Sequence, residues 1–94
     1  MAGAGVRRDG ARLVFEGALL RDVCATLWAR ARPLAEGADR FDLQGVERID
    51  SAGLALLAEL AGHASATAID GEPEGYAPLC NAYRLDRATL RYAG

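Results

Sequence analysis

Polar and apolar positions along this chain change period several times, and each change marks an element. Over "RLVFE", residues 12 to 16, they alternate as in a strand, and "GVRRDGA" before it holds a short partner strand with a turn at Gly10. Gly17 then interrupts the alternation. From Leu19 to about Ala31 the apolar positions Leu20, Val23, Cys24, Leu27 and Ala31 recur at steps of three and four. Arg21, Asp22, Arg30 and Arg32 take the opposite side, so the stretch predicts an amphipathic helix. Pro33 and Gly37 mark its end.

In "RFDLQGV", residues 40 to 46, Phe41 and Leu43 alternate with Asp42 and Gln44, predicting a short strand closed by a turn at Gly45. Val46 and Ile49 lead into a second helix, roughly Ser51 to Ala64. "SATAID", residues 65 to 70, offers a strand ending near Gly71. Pro73 suits the first turn of a third helix, about Pro73 to Tyr83, because proline needs no hydrogen-bond donor there. Tyr76, Leu79, Ala82 and Tyr83 form its expected inner face. The tail "RLDRATLRYAG" has no readable period. Elements alternating in this order imply an α/β sheet flanked by helices.

The second helix changes the picture most. Between Ser51 and Gly62 its only charged residue is Glu59, and Leu54, Leu56, Leu57 and Leu60 lie on more than one face. A helix apolar nearly all round is covered on all sides. One sheet covers one face; the other needs either a further helix of the same domain or a separate protein. Just ahead of the leucines stand Asp50, Ser51 and Gly53. Asp50 or Ser51 can cap the first turn by accepting an orphan amide hydrogen, worth on the order of 1 kcal/mol. Gly53 costs up to about 1 kcal/mol against alanine inside a helix. In the first turn, however, it permits a neighbouring chain to approach closely.

Composition bounds the chemistry. The 94 residues are 51% hydrophobic and 26% charged, the make-up of one globular domain. All 11 basic residues are arginine, and we attribute this to genome composition bias. A net charge of −2 with scattered arginines supplies no basic face for nucleic acid. Cys24 and Cys80 lack CxxC spacing and read as reduced core residues. The start "MAGAGVRRDG" has no apolar core of a secretion signal, and no run approaches the length of a membrane span. A cytoplasmic protein is the expectation.

A catalytic serine is a poor fit. The nucleophile elbow needs glycine two residues before the serine, where Ile49 stands. The single histidine, His63, lies twelve residues beyond Ser51, about 18 Å along a continuous helix. That distance rules out the hydrogen bond a triad requires. His63 reads as structural, at the negative end of the helix dipole. Phosphate binding at the helix start is opposed by Asp50 and by the lack of a glycine-rich cradle, though Arg48 is near. No catalytic residue, metal or cofactor is expected.

Three segments, "LVFEGALLRDVCATLWARA", "FDLQGVERIDSAGLALLAEL" and "GEPEGYAPLCNAYRLD", resemble the STAS domain family of sulfate transporters and anti-sigma-factor antagonists. The resemblance covers about residues 6 to 87, and the middle segment is the most specific. The first segment includes the Gly17 junction and the Leu27–Trp28 pair, although Trp28 alone reads as a core or core-edge aromatic. The implied fold is a single STAS-like domain over residues 1–94, a four-to-five-stranded mixed sheet with flanking helices.

Two functions are implied. In anti-sigma-factor antagonists the signature resembles Asp-Ser-Ser or Asp-Ser-Thr before glycine, and the second hydroxyl accepts phosphate from a partner kinase. Here that position is Ala52, which argues against the switch. "DSAGLALL", Asp50 to Leu57, is more similar to the STAS subunits of bacterial phospholipid transporters that maintain outer-membrane asymmetry. Those subunits are not enzymes; they bind the cytoplasmic ATPase of an ABC transporter and, through it, a permease. Carried over to this chain, the resemblance makes Ser51 the central contact, with Ala52, Gly53, Leu54 and Ala55 completing the surface. Asp50 and Arg48 become its structural support.

Overall fold

Strands β1 (Gly5–Asp9) and β2 (Arg12–Leu19) form an antiparallel hairpin that turns at Gly10. The computed structural model describes residues 4–64 and 68–92, so the first half of "SATAID" lies outside the described residues. Helix α1 (Arg21–Ala35) follows, then β3 (Arg40–Ile49), α2 (Ser51–His63), β4 (Ala68–Asp70) and α3 (Tyr76–Tyr83). The sheet order is β1-β2-β3-β4, with β2, β3 and β4 parallel to one another. Successive crossovers of one hand stepping the same way along a sheet place their helices on one face. Accordingly α1 and α2 pack side by side against the sheet, and α3 packs on α2.

Leu13 and Phe15 of β2, Phe41, Leu43, Val46 and Ile49 of β3, and Leu54, Leu57 and Leu60 of α2 meet in the core. The Phe15 and Phe41 rings lie 5.6 Å apart and tilted. On the other sheet face Arg12 bridges Asp9 at 3.1 Å and Asp42 at 3.4 Å, and Arg40 pairs with Asp70 at 2.7 Å.

Two strand boundaries differ from the sequence expectation for one reason. β2 does not stop at Gly17, and β3 does not turn at Gly45; each continues for several residues. Between the pairs Val14↔Asp42 and Glu16↔Gly45 β3 spends one more residue than β2. It does so again between Gly17↔Val46 and Leu19↔Ile49. Such bulges let Phe41, Leu43, Val46 and Ile49 share a face at steps of two, three and three. The first is pinned by Asp42, whose carboxylate accepts the Gln44 amide hydrogen at 2.9 Å. Gly17, at φ 84, takes the left-handed conformation that keeps β2 in step.

The helices also shift. α1 runs through Pro33 to Ala35; Pro33 has no hydrogen to donate to the Ala29 carbonyl, and the helix ends within one turn of it. α3 begins at Tyr76, not Pro73. Glu74 is held extended beside β3, its carbonyl accepting the Ile49 amide at 2.9 Å. The inner face of α3 is Tyr76 and Cys80 with Leu79 half-buried, whereas Ala82 and Tyr83 are exposed. The tail folds back on the domain. Leu90 is buried, the Ile69 amide donates to the Ala88 carbonyl at 2.9 Å, and the Tyr76 hydroxyl donates to the Arg87 carbonyl at 2.6 Å.

Candidate functional site

The junction of β3 and α2 is organised by Asp50. Its backbone stays extended while its Oδ1 accepts the Gly53 amide hydrogen at 2.9 Å, so that of the two candidate caps, Asp50 and Ser51, it is Asp50 that caps α2. Its Oδ2 accepts the amide hydrogen of Arg21, the first residue of α1, at 3.0 Å. One carboxylate thus caps two helices, and their N-termini converge on it. Burial pushes the Asp50 carboxyl up, but amide hydrogens of Gly53, Arg21 and Ala52 and the Arg21 guanidinium outweigh it. The group is held below its ordinary range.

Gly53 is where the chains touch. A Cβ there would stand 2.1 Å from the Leu19 carbonyl oxygen and 2.8 Å from Ile49 Cγ1. The close approach expected of this glycine is therefore made by the end of β2. The same Leu19 oxygen accepts the Asp50 amide hydrogen at 3.3 Å.

The predicted contact residues divide by exposure. Ser51 and Ala55 are exposed, Ala52 is half-buried, and Gly53 and Leu54 are buried. The Ser51 hydroxyl has no hydrogen-bond partner among the described residues. Arg48 is exposed; its backbone pairs with Glu74, and its side chain reaches neither Asp50 nor another partner among the described residues. Two grooves flank the exposed strip of α2. One, of about 300 Å³, is lined by Ser51, Ala52, Leu54 and Ala55 together with Arg21, Tyr83 and Leu85. The other, of about 390 Å³, lies between α1 and α2 and is lined by Cys24, Ala25, Trp28, Ala52, Ala55, Leu56 and Glu59.

Sequence reasoning missed the groove walls. Arg21 opens α1, and Tyr83 and Leu85 stand at and just past the end of α3, so no local pattern joins either place to Ser51. Trp28 proves half-buried at the core edge, its ring 6.0 Å from that of His63. The leucines of α2 need no outside cover. Leu54, Leu56, Leu57 and Leu60 are all buried by the sheet and the domain's own helices, and the exposed line is Ser51, Ala55, Glu59 and His63. Of the two ways to cover that helix, its own neighbours supply the larger share.

The arrangement offers little for catalysis. His63 sits at the far end of α2, packed on Trp28 rather than near Ser51. Cys24 and Cys80 are free thiols. Burial pushes the Cys24 thiol up, Asp50 and Asp22 add to this, and the Arg21 charge opposes it. Its Sγ donates to the Leu20 carbonyl at 3.3 Å. Among the described residues no three His, Cys, Asp or Glu side chains form a metal-sized cluster. Among them, too, no helix is long and apolar enough to cross a membrane.

The chain matches the family described as "Mlab, STAS domain" over residues 4–92. The protein belongs to the STAS domain family. A mixed four-stranded sheet with three helices is the architecture this membership implies. Among curated proteins none matches the chain. The start of α2 lies within the matched residues and is the place where this STAS domain leaves an exposed strip between two grooves. A STAS domain with such a strip points to protein–protein interaction.

Proposed function

We propose that this STAS domain is a non-catalytic subunit of a bacterial ABC transporter for phospholipids, one that maintains outer-membrane lipid asymmetry. It works in the cytoplasm, docks on the transporter's ATPase through the start of α2, and reaches the inner membrane and the permease only through that ATPase. It needs no cofactor. Docking supports assembly and activity of the complex by adding a folded surface, not by chemistry.

The observation that carries this reading is Ala52 in the signature, flanked by exposed Ser51 and Ala55 on a strip between two grooves. The methyl groups of Ala52 and Ala55 suit close packing, and Ala52 offers no hydroxyl for the phosphate of an antagonist switch. The MlaB-like description of the matching family agrees.

The test is binding of the purified protein to the purified ATPase subunit of the same bacterium's phospholipid transporter. Ser51→Glu places at the contact a carboxylate that must be desolvated. Ala55→Arg adds bulk at an exposed helical position that leaves the core untouched. Wild-type binding, with loss in both folded variants, supports the proposal. A wild type that ignores the ATPase but binds an anti-sigma kinase and takes phosphate on Ser51 would transfer the protein to the antagonist branch.

A further inference from the structure

Resting on the docking reading above, we infer that the contact surface extends from α2 over the C-terminal segment. Tyr83 is its anchoring wall, and the groove accepts an apolar segment of the ATPase that presents a carboxylate to Arg21. The argument begins with what is exposed. Among the described residues the large hydrophobic side chains most open to solvent are Tyr83, at 55%, and Tyr92, at 71%. Both belong to the end of α3 and the tail that follows it, and Tyr83 forms a wall of the Ser51 groove with Leu85. Tyrosine offers a large rigid contact area at little entropic cost, which is why it is enriched among the residues that dominate binding.

The wall is fixed in place. Arg84 adopts a left-handed conformation at φ 57 that ends α3, and its amide donates to the Asn81 carbonyl at 3.3 Å. The Leu85 amide donates to the Cys80 carbonyl at 2.8 Å, and Leu85 pairs with Tyr92. Beyond them Leu90 plugs into the core. A surface already ordered before binding loses little freedom on association.

Charge decides what kind of segment fits. Arg21 is the single charged residue lining this groove, and it makes no ion pair among the described residues. Two helix N-termini converge beside it, and the ionised Asp50 carboxylate they share offsets their partial positive charges, which leaves the Arg21 guanidinium as the charge that lines the groove. The mouth of the groove therefore favours a negative group, and its walls favour apolar contact.

Binding of the purified ATPase subunit is measured for wild type, Tyr83→Ala, Arg21→Gln and Ala55→Arg, each first shown to be folded by circular dichroism. Tyr83 is exposed, and Arg21→Gln keeps the backbone amide that Asp50 holds. Tyr83→Ala should weaken binding roughly tenfold or more. Arg21→Gln should weaken it and flatten its dependence on salt, because the lost contact is between charges. If both variants bind within about twofold of wild type while Ala55→Arg does not bind, the extended surface is wrong and the docking site on α2 stands. If Ala55→Arg also binds normally, the docking reading itself falls.

Discussion

Replacing Gly53 by alanine separates packing from helix propensity, because the two pull in opposite directions. In an ordinary helix the change gains up to about 1 kcal/mol. Here the new Cβ would stand 2.1 Å from the Leu19 oxygen and 2.8 Å from Ile49 Cγ1, where carbon–oxygen contacts normally begin near about 3.3 Å. The end of β2 must retreat by more than about 1 Å. That movement breaks into the Leu19 oxygen's bond from the Asp50 amide, worth about 1 kcal/mol. Overfilling a packed junction costs about 1–3 kcal/mol besides. Net of the propensity gain, Gly53→Ala should destabilise by about 1–3 kcal/mol. For a domain of this size that lowers Tm by on the order of 10 °C. Gly62 in the same helix is the control: a Cβ there meets nothing within 4 Å, so Gly62→Ala should raise Tm slightly. Thermal and urea unfolding of both variants measure this. A Gly53→Ala protein as stable as Gly62→Ala would refute the claim that the β2 end and α2 are in contact through this glycine.

Asp50→Ala should cost about 2–3 kcal/mol in urea unfolding, since two helix starts lose their cap together. Because the Asp50 carboxyl titrates below its unfolded value, its contribution is complete above about pH 4 and is lost as pH falls through the lower folded value. The acid limb of a stability–pH profile should therefore be shallower in Asp50→Asn than in wild type. Arg8 donates to the Leu34 carbonyl at 2.6 Å and to the Glu36 carbonyl at 3.0 Å, tying the hairpin to the end of α1. Arg8→Ala should lower stability by about 1–2 kcal/mol in urea unfolding, and Arg8→Lys should recover only part of that. Burial pushes the Tyr76 phenol up, so it stays the protonated donor to Arg87. Tyr76→Phe should cost about 1 kcal/mol and speed hydrogen exchange chiefly at residues 85–92.

The elements with a single period were legible and those with a mixed period were not. α1 and α2 repeat at three and four, and their existence follows from the residues alone. β3 repeats at two and then, through its bulges, at three, so its second half imitates the approach to a helix. Nothing local distinguishes the two. Pro73 was misleading because backbone pairing of Glu74 with β3 is a long-range fact. At the site the cap and the glycine were readable, since both act within one turn. The second bond of Asp50, to α1, was not: it joins residues 29 apart in sequence. Tyr83 misled in another way, since an aromatic at the spacing of a core stripe was expected inside and lies outside. The resemblance pointed to the α2 start, and only the folded chain supplied the walls beside it.

The size of the exposed strip bears on how any partner must bind. The leucines of α2 are spent on its own domain, leaving Ser51, half-buried Ala52 and Ala55 as the outer face of its start, with Glu59 and His63 further along. A stable interface covers on the order of 800 Å² on each side, roughly 15% of a surface of 5258 Å². Three small residues fall far short of that area. A partner seated on the strip must therefore also cover what rises beside it: Trp28 and Ala25 of α1 on one side, Tyr83 and Leu85 on the other. Asp50 matters here without being touched, because it fixes the starts of α1 and α2 against each other. The small side chains of the signature set how near a partner can come, and the walls set how much it can hold.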